Sequence, residues 1–109
     1  MPSKKFAVEW TESAAADLRG IVLYIAENSL QNARQIFAKI KTECENLEKF
    51  LEMGKVPAEL EALQIGGYRE LVVTPWRIFY RKDTERIVVL AVIDSRRNID
   101  DAVWKRMMR

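Results

Sequence analysis

Apolar and polar positions alternate at the start of the chain. In residues 5–10, the side chains of Phe6, Val8 and Trp10 fall on one face. A period of two residues is typical of a strand that is buried on one side. We therefore predict a first strand over these residues.

The apolar period then changes to three or four residues, which predicts two consecutive helices. Thr11 or Ser13 can cap the first helix, and Asn28 and Ser29 break that helix and cap the second. Gly54 is typical of a helix stop, so we expect the second helix to end there. The two apolar stripes consist of Ala14, Leu18, Ile21, Val22 and Ile25, then Ala33, Ile36, Phe37, Ile40, Cys44, Leu47 and Leu51.

Three strand-like runs follow a connector at residues 55–67, in which the segment AELEAL predicts one short helical turn. Short turns at Pro75 and at Asp83 and Thr84 join the runs, and links this short force antiparallel pairing. The runs cover residues 68–74, 76–82 and 86–94.

A last short helix at residues 98–108, capped by Asn98, completes the predicted architecture. The class is α+β, with an N-terminal strand, an α-helical hairpin, a three-stranded antiparallel meander and a short C-terminal helix. We expect the hairpin to cover one face of the sheet and the other face to be partly open and functional. The 109 residues suit a single domain that spans residues 1–109.

Composition argues against several kinds of site. The chain has no His and a single Cys, which argues against a structural zinc site and excludes every triad that needs histidine. No window approaches the roughly 20 apolar residues of a membrane span, and the start MPSKKFAVEW does not resemble a secretory signal. We therefore expect no metal, no membrane association and a reducing compartment.

Charge is unevenly distributed along the chain. Residues 1–65 carry eight basic and ten acidic side chains, hence a net charge of 8 − 10 = −2, and residues 66–109 carry ten and six, hence 10 − 6 = +4. The C-terminal half is therefore the part that we expect to meet an anionic partner.

Side-chain parity predicts where the arginines point. Arg77 and Arg81 share one face of the second run, while Tyr80 lies on its more apolar face, which we expect to contact the helices. Arg96 and Arg97 follow directly after the last run. The positive charge therefore collects on the open face and at one strand end.

A cluster of Arg69, Arg77 and Arg97 could form there, because neighbouring strand ends in an antiparallel sheet lie close together. Asp94 and Glu70 would be its counter-charges. Two interpretations stay open. These residues form ordinary surface ion pairs, each worth about 0–1 kcal/mol, or their guanidinium groups form a phosphate-binding surface.

The chain resembles the RelE/ParE superfamily of toxins from bacterial type II toxin–antitoxin modules. The segment TESAAADLRGIVLYIAENS is similar to the first helix of the ParE branch, and GYRELVVTPWRIFYRKDTERIVVLAVIDSRRN is similar to the three-strand sheet of the family. The resemblance implies the RelE/ParE-like fold, a small cytoplasmic toxin without a cofactor, and plasmid stabilisation. It also implies neutralisation by a cognate antitoxin, whose toxin-binding tail we expect to be acidic or mixed in charge and to fold on binding.

Members of this superfamily divide by target: RelE-like toxins cut messenger RNA in the ribosome, and ParE-like toxins block DNA gyrase. In a RelE-like enzyme, Arg69, Arg77 and Arg97 would bind phosphate and stabilise the transition state. The tyrosine that such enzymes carry near their C-terminus would fall near Val103, which has no acid–base chemistry. Cleavage through a 2′-hydroxyl needs a proton acceptor and a proton donor, so the catalytic set is incomplete.

Asp94 and Tyr80 remain as the candidates for proton transfer. The incomplete set favours a non-catalytic gyrase inhibitor over the alternatives, a ribosome-dependent endoribonuclease or a degenerate, inactive family member. The candidate binding residues are Arg69, Arg77, Arg81, Arg96 and Arg97. The expected partners are the antitoxin and either gyrase or the ribosome with its message, in a homodimer or a toxin–antitoxin hetero-oligomer.

Overall fold

The computed structural model describes residues 6–50 and 52–108, and it confirms the predicted α+β class. No helix in this part of the chain combines the length and the apolar character that crossing a bilayer requires. The elements are β1 (Ala7–Trp10), α1 (Glu12–Ala26), α2 (Leu30–Glu45), a 3₁₀ turn (Asn46–Glu48), α3 (Ala58–Ala62), β2 (Tyr68–Val73), β3 (Trp76–Lys82), β4 (Arg86–Asp94) and α4 (Asp101–Met107).

The helical hairpin packs on one face of the sheet. The side chain of Thr11 caps α1 by accepting the N–H of Ala14 at 3.0 Å, and Ser29 caps α2 by accepting the N–H of Asn32 at 3.1 Å. Both caps were among those that the sequence predicts. The core between the helices and the sheet includes the buried side chains of Leu18, Ile40, Leu47, Ile78, Tyr80 and Val89.

The sheet has four strands in the order β1-β4-β3-β2. Strands β2, β3 and β4 form the predicted antiparallel meander. β1 pairs in parallel with the other side of β4, with Ala7 opposite Arg86. A bulge between Phe79 and Tyr80 interrupts the pairing of β3 with β4. It leaves Leu90 of β4 without a partner on β3, although the residues on both sides of Leu90 are paired.

Helix α4 covers part of the second face of the sheet. Its Trp104 meets Phe79 of β3 edge to face, with ring centroids 5.5 Å apart. Arg106 donates to the carboxylate of Asp17 at 2.8 Å and so joins α4 to α1 across the outer edge of β4. The face that was expected to be partly open therefore carries a second, smaller apolar cluster, which contains Phe79, Val88, Leu90, Ala91, Ile93 and Met107.

The predicted end of the second helix is wrong. α2 ends at Glu45. The 3₁₀ turn that follows places one more apolar side chain in the core, so the apolar stripe continues beyond the end of the helix. Gly54 lies in the connector and donates its N–H to the hydroxyl of Tyr80 at 3.1 Å. Leu51, the last residue of the predicted stripe, and Lys5, the first of the predicted strand, lie outside the described residues.

The predicted start and cap of the last helix are also wrong. The carboxylate of Asp100, and not the side chain of Asn98, accepts the N–H of Val103 at 3.0 Å. The chain first has to leave the sheet in a turn, in which the N–H of Arg97 donates to the carbonyl of Asp94. Residues 98–100, which the sequence assigned to the start of the helix, connect this turn to α4 and are not helical.

Candidate functional site

Arg77 lies at the centre of an ion-pair network on the second face of the sheet. Its Nε and Nη2 donate to the carboxylate of Glu70 at 3.0 and 2.7 Å, and its Nη1 and Nη2 donate to Glu59 of α3 at 2.8 Å each. The guanidinium group also stacks over the ring of Phe79, 4.8 Å from its centroid. The side chain thus has two carboxylate partners and an aromatic support.

This network leaves no surplus positive charge at Arg77. Glu70 is only 3% exposed, and its carboxylate lies on the same face of the sheet as the guanidinium group of Arg77. The hydrogen bonds that Arg77 donates to Glu59 lower the pKa of Glu59, and those that it donates to Glu59 and Glu70 raise the pKa of Arg77. One guanidinium group opposite two carboxylates carries a net charge of −1, which repels phosphate.

Arg69 and Tyr80 lie on the opposite face, under the connector. Arg69 Nη2 donates to the carbonyl of Gly54 at 2.7 Å and to that of Glu52 at 3.3 Å. The Tyr80 hydroxyl accepts the N–H of Gly54, and burial raises the pKa of this tyrosine. Both side chains therefore hold the connector against the sheet.

Arg96 and Arg97 lie in the exposed turn after β4. Arg96 donates through Nε and Nη2 to Asp94 at 2.9 and 2.6 Å, and these bonds lower the pKa of Asp94 to about 2. The guanidinium group of Arg97 is exposed and has no carboxylate partner among the described residues. Arg81 is half-exposed on the same face as Arg77.

The structure does not bring Arg69, Arg77 and Arg97 together. Parity places Arg69 on the helix side of the sheet, opposite Tyr80, while Arg77 faces the other side and Arg97 lies beyond the strand end. The predicted counter-charges are present, but in separate pairs, with Glu70 on Arg77 and Asp94 on Arg96. No sequence pattern indicated Glu59, because its position depends on the path of the connector. Binding roles for these arginines stay predictions.

A groove of about 600 Å³ runs between α1 and the ends of β3 and β4, and we call it the Gly20 groove. Ala16, Gly20 and Tyr24 line its helix side. On the sheet side it is lined by Trp76, and the turn residues Arg96 and Arg97 stand at its mouth. The two arginines were predicted as candidate binding residues, but the helix side was not, because exposed small residues leave no apolar pattern.

Other reactive groups are few in the described part of the chain. There, no group of three or more His, Cys, Asp or Glu side chains is placed to hold a metal ion. Cys44 is buried in the main core, and desolvation raises its pKa to about 12. Since the thiolate is the reactive form, this cysteine is inert at neutral pH.

Two solved structures have the same fold as this chain. A chain of the chromosomal ParDE toxin–antitoxin system from P. aeruginosa matches with a TM-score of 0.69 at 21% identity, over 83% of this chain and 96% of its own. A chain of the toxin–antitoxin complex RelBE2 from Mycobacterium tuberculosis matches with a TM-score of 0.59 at 21% identity, over 85% and 94%.

Sequence comparison identifies the family. Toxin ParE3 of Caulobacter vibrioides is 26% identical over 97 residues, which cover 88% of this chain and 93% of that protein. Residues 8–99 match the family model described as ParE toxin of type II toxin-antitoxin system, parDE. That match runs from β1 through β4, the whole of the sheet and the helical hairpin, so the chain belongs to the ParE toxin family of type II toxin–antitoxin systems.

Proposed function

We propose that this chain inhibits DNA gyrase by direct binding and that a cognate antitoxin neutralises it. Gyrase is the target that resemblance to the ParE branch implies. The observation that carries the proposal is the engagement of Arg77 by both Glu59 and Glu70. An arginine that two carboxylates already hold is not free to bind the phosphate of a messenger RNA.

The candidates for proton transfer also favour a non-catalytic toxin. Asp94, with a pKa of about 2, is a weak base at neutral pH. The hydroxyl of Tyr80 is buried under the connector, where it accepts a hydrogen bond from Gly54. Val103 and Trp104 pack against the smaller apolar cluster and offer no acid or base.

Three observations support an antitoxin as the second partner. The two structures with the same fold come from toxin–antitoxin systems. The helical hairpin exposes the large apolar side chains of Leu23, Leu30 and Phe37, which a segment that folds on binding could cover. The C-terminal half carries a net charge of +4 from its ten basic and six acidic residues. Since gyrase acts in the cytoplasm, the proposal places the toxin there too.

A supercoiling assay with purified gyrase tests the proposal. We expect the chain to block supercoiling of relaxed plasmid at a stoichiometric ratio, and prior addition of the protein encoded by the adjoining gene to restore it. Plasmid relaxation by a type I topoisomerase is the matched control and should be unaffected. Full supercoiling in the presence of a molar excess of the chain would contradict the proposal.

Induction in growing cells separates the alternatives. Early loss of DNA synthesis supports gyrase as the target. New 5′ ends within translated messages, detected by primer extension, would instead support the ribosome-dependent endoribonuclease. Undisturbed growth at high expression would identify a degenerate, inactive member of the family.

A further inference from the structure

A second groove, of about 420 Å³, lies between the two helices of the hairpin and the end of β1, and we call it the Trp10 groove. It shares no lining residue with the Gly20 groove. It is lined by Trp10, Ala15, Leu18, Arg19, Val22, Phe37 and Lys41. Sites for small molecules commonly have about 300–1,000 Å³ and are mostly apolar, with a few polar groups that orient the ligand. The Trp10 groove has this size and this composition.

Two aromatic rings line the Trp10 groove. Trp10 packs against the main core and is partly buried, and Phe37 of α2 is 46% exposed. Leu18 and Val22 add apolar surface from α1. Aromatic side chains attract a further ring in offset-stacked or edge-to-face geometry. The apolar part of the groove therefore suits a flat, aromatic ligand.

The charges of the Trp10 groove are all positive. The ammonium nitrogen of Lys41 lies 5.4 Å from the centroid of the Trp10 ring, beside the apolar lining. Arg19 of α1 is the second cation, and no acidic side chain of the described residues lines the groove. Within the described part of the chain, neither cation forms an ion pair with a carboxylate. Both are therefore available to an anionic group of a ligand.

We propose that the Trp10 groove binds a small aromatic carboxylate. The ring packs against Trp10 and Phe37, and the carboxylate accepts hydrogen bonds from Lys41 and Arg19. Hydrogen bonds between ionised groups are stronger than those between neutral ones, so the acid should bind more tightly than a neutral molecule with the same ring. The inference concerns a small molecule and does not depend on gyrase or the antitoxin.

NMR spectroscopy of the purified chain tests the inference with naphthoate as the probe. The indole N–H groups of Trp10, Trp76 and Trp104 are separate reporters, and Trp10→Phe assigns the first by removing its signal. We expect naphthoate to shift the Trp10 signal saturably, with a Kd below about 1 mM. The Trp104 signal should stay unchanged, because Trp104 packs against Phe79 outside the groove. No shift of the Trp10 signal at about 5 mM naphthoate would overturn the inference.

Charge is tested on the ligand and on the protein. Naphthamide has the same ring without the negative charge, and we expect it to bind about tenfold more weakly than naphthoate. Lys41→Glu should weaken naphthoate binding by about tenfold or more and change naphthamide binding much less. The matched control is Lys39→Glu, an exposed charge reversal on α2 outside the groove, for which we expect less than about a twofold change. Equal affinities of the wild-type chain for the two ligands would refute a carboxylate as the ligand group.

Phe37→Ala tests the aromatic part, and Phe50→Ala is its control, because Phe50 is also exposed but lies outside the groove. We expect Phe37→Ala to weaken both ligands by about fivefold or more and Phe50→Ala to change neither by more than about twofold. Wild-type affinity in both Lys41→Glu and Phe37→Ala would overturn the inference. So would a dimer, seen by sedimentation, that Phe37→Ala dissociates and that naphthoate does not perturb, because the groove would then hold a second copy of the chain.

Discussion

Arg77 and Arg97 show how differently one residue type is used in this fold. The side chain of Arg77 is 15% exposed, and it joins β3 to Glu70 on β2 and to Glu59 on α3. Arg97 stands exposed at the mouth of the Gly20 groove, without a carboxylate partner among the described residues. Arginine content alone therefore does not show which guanidinium groups are engaged within the fold; the number of carboxylates that reach each group does.

Two glycines, Gly54 in the connector beside β2 and Gly20 in the Gly20 groove, differ in the space around them. A Cβ on Gly54 would lie 2.7 Å from the hydroxyl of Tyr80 and closer still to the carbonyl oxygen of Glu70. A Cβ on Gly20 would meet nothing within 4 Å. The connector side is closely packed within the chain, whereas the groove side is open.

The largest difference between the two sites should come from removing the arginines. Arg77→Met leaves the buried Glu70 without its principal partner. Since breaking a buried ion pair in this way costs about 3–5 kcal/mol, we expect the free energy of unfolding to fall by that amount. Arg97→Met should change it by less than about 0.5 kcal/mol. Urea unfolding measures both, and the double variant Arg77→Met/Glu70→Met should recover most of the loss. Equal effects of the two single variants would refute the contrast.

The two glycines should respond to alanine with opposite signs. Gly54→Ala forces a methyl group against the backbone of Glu70, and we expect a loss of about 1–3 kcal/mol, as for other overpacked sites. The same urea titration measures it. A neutral result would mean that the connector moves away from β2 at little cost.

Gly20→Ala should stabilise the protein by about 0.5–1 kcal/mol, because alanine loses less backbone entropy in a helix and the methyl group finds open space. Thermal and urea unfolding both report this gain. A destabilised variant would show that glycine has a structural role in α1.

The smallest expected effect concerns acid. The folded-state pKa of Glu59 lies below its ordinary 4.5 because Arg77 donates hydrogen bonds to it. Its contribution to stability is therefore present above pH 4.5 and is lost as the pH falls towards the lowered pKa. Glu59→Gln should unfold with a shallower dependence on pH between about pH 5 and pH 3. An unchanged slope in urea titrations across this range would exclude Glu59 as a source of acid sensitivity.

Local pattern was sufficient to predict much of the fold. Alternation along β3 placed Arg77 on one face and Tyr80 against the helices, and the structure confirms both. Thr11 and Ser29 were predicted as caps because capping depends on residues only a few positions away. Short links determined the meander for the same reason, since two or three residues between strands permit only antiparallel pairing.

Features that depend on distant residues were not predicted. Glu59 reaches Arg77 only because the connector crosses β2 at Lys55, whose backbone pairs with Glu70. The parallel pairing of β1 with β4 depends on two segments from opposite parts of the chain. The Gly20 groove escaped prediction because an exposed glycine in a helix has no apolar partner in the sequence to mark it.

The pairing of β1 with β4 also determines when the four-stranded sheet can be completed during synthesis. Ala7 lies opposite Arg86, so 86 − 7 = 79 residues separate the first strand from its partner. At about 5–20 residues per second, the ribosome needs roughly 4–16 s to make that interval. During that time the first strand has no neighbour to pair with, and partners so far apart in sequence also find each other slowly. Assembly of the complete sheet is therefore delayed until β4 has been synthesised, and an antitoxin could bind the fully assembled toxin only after that point.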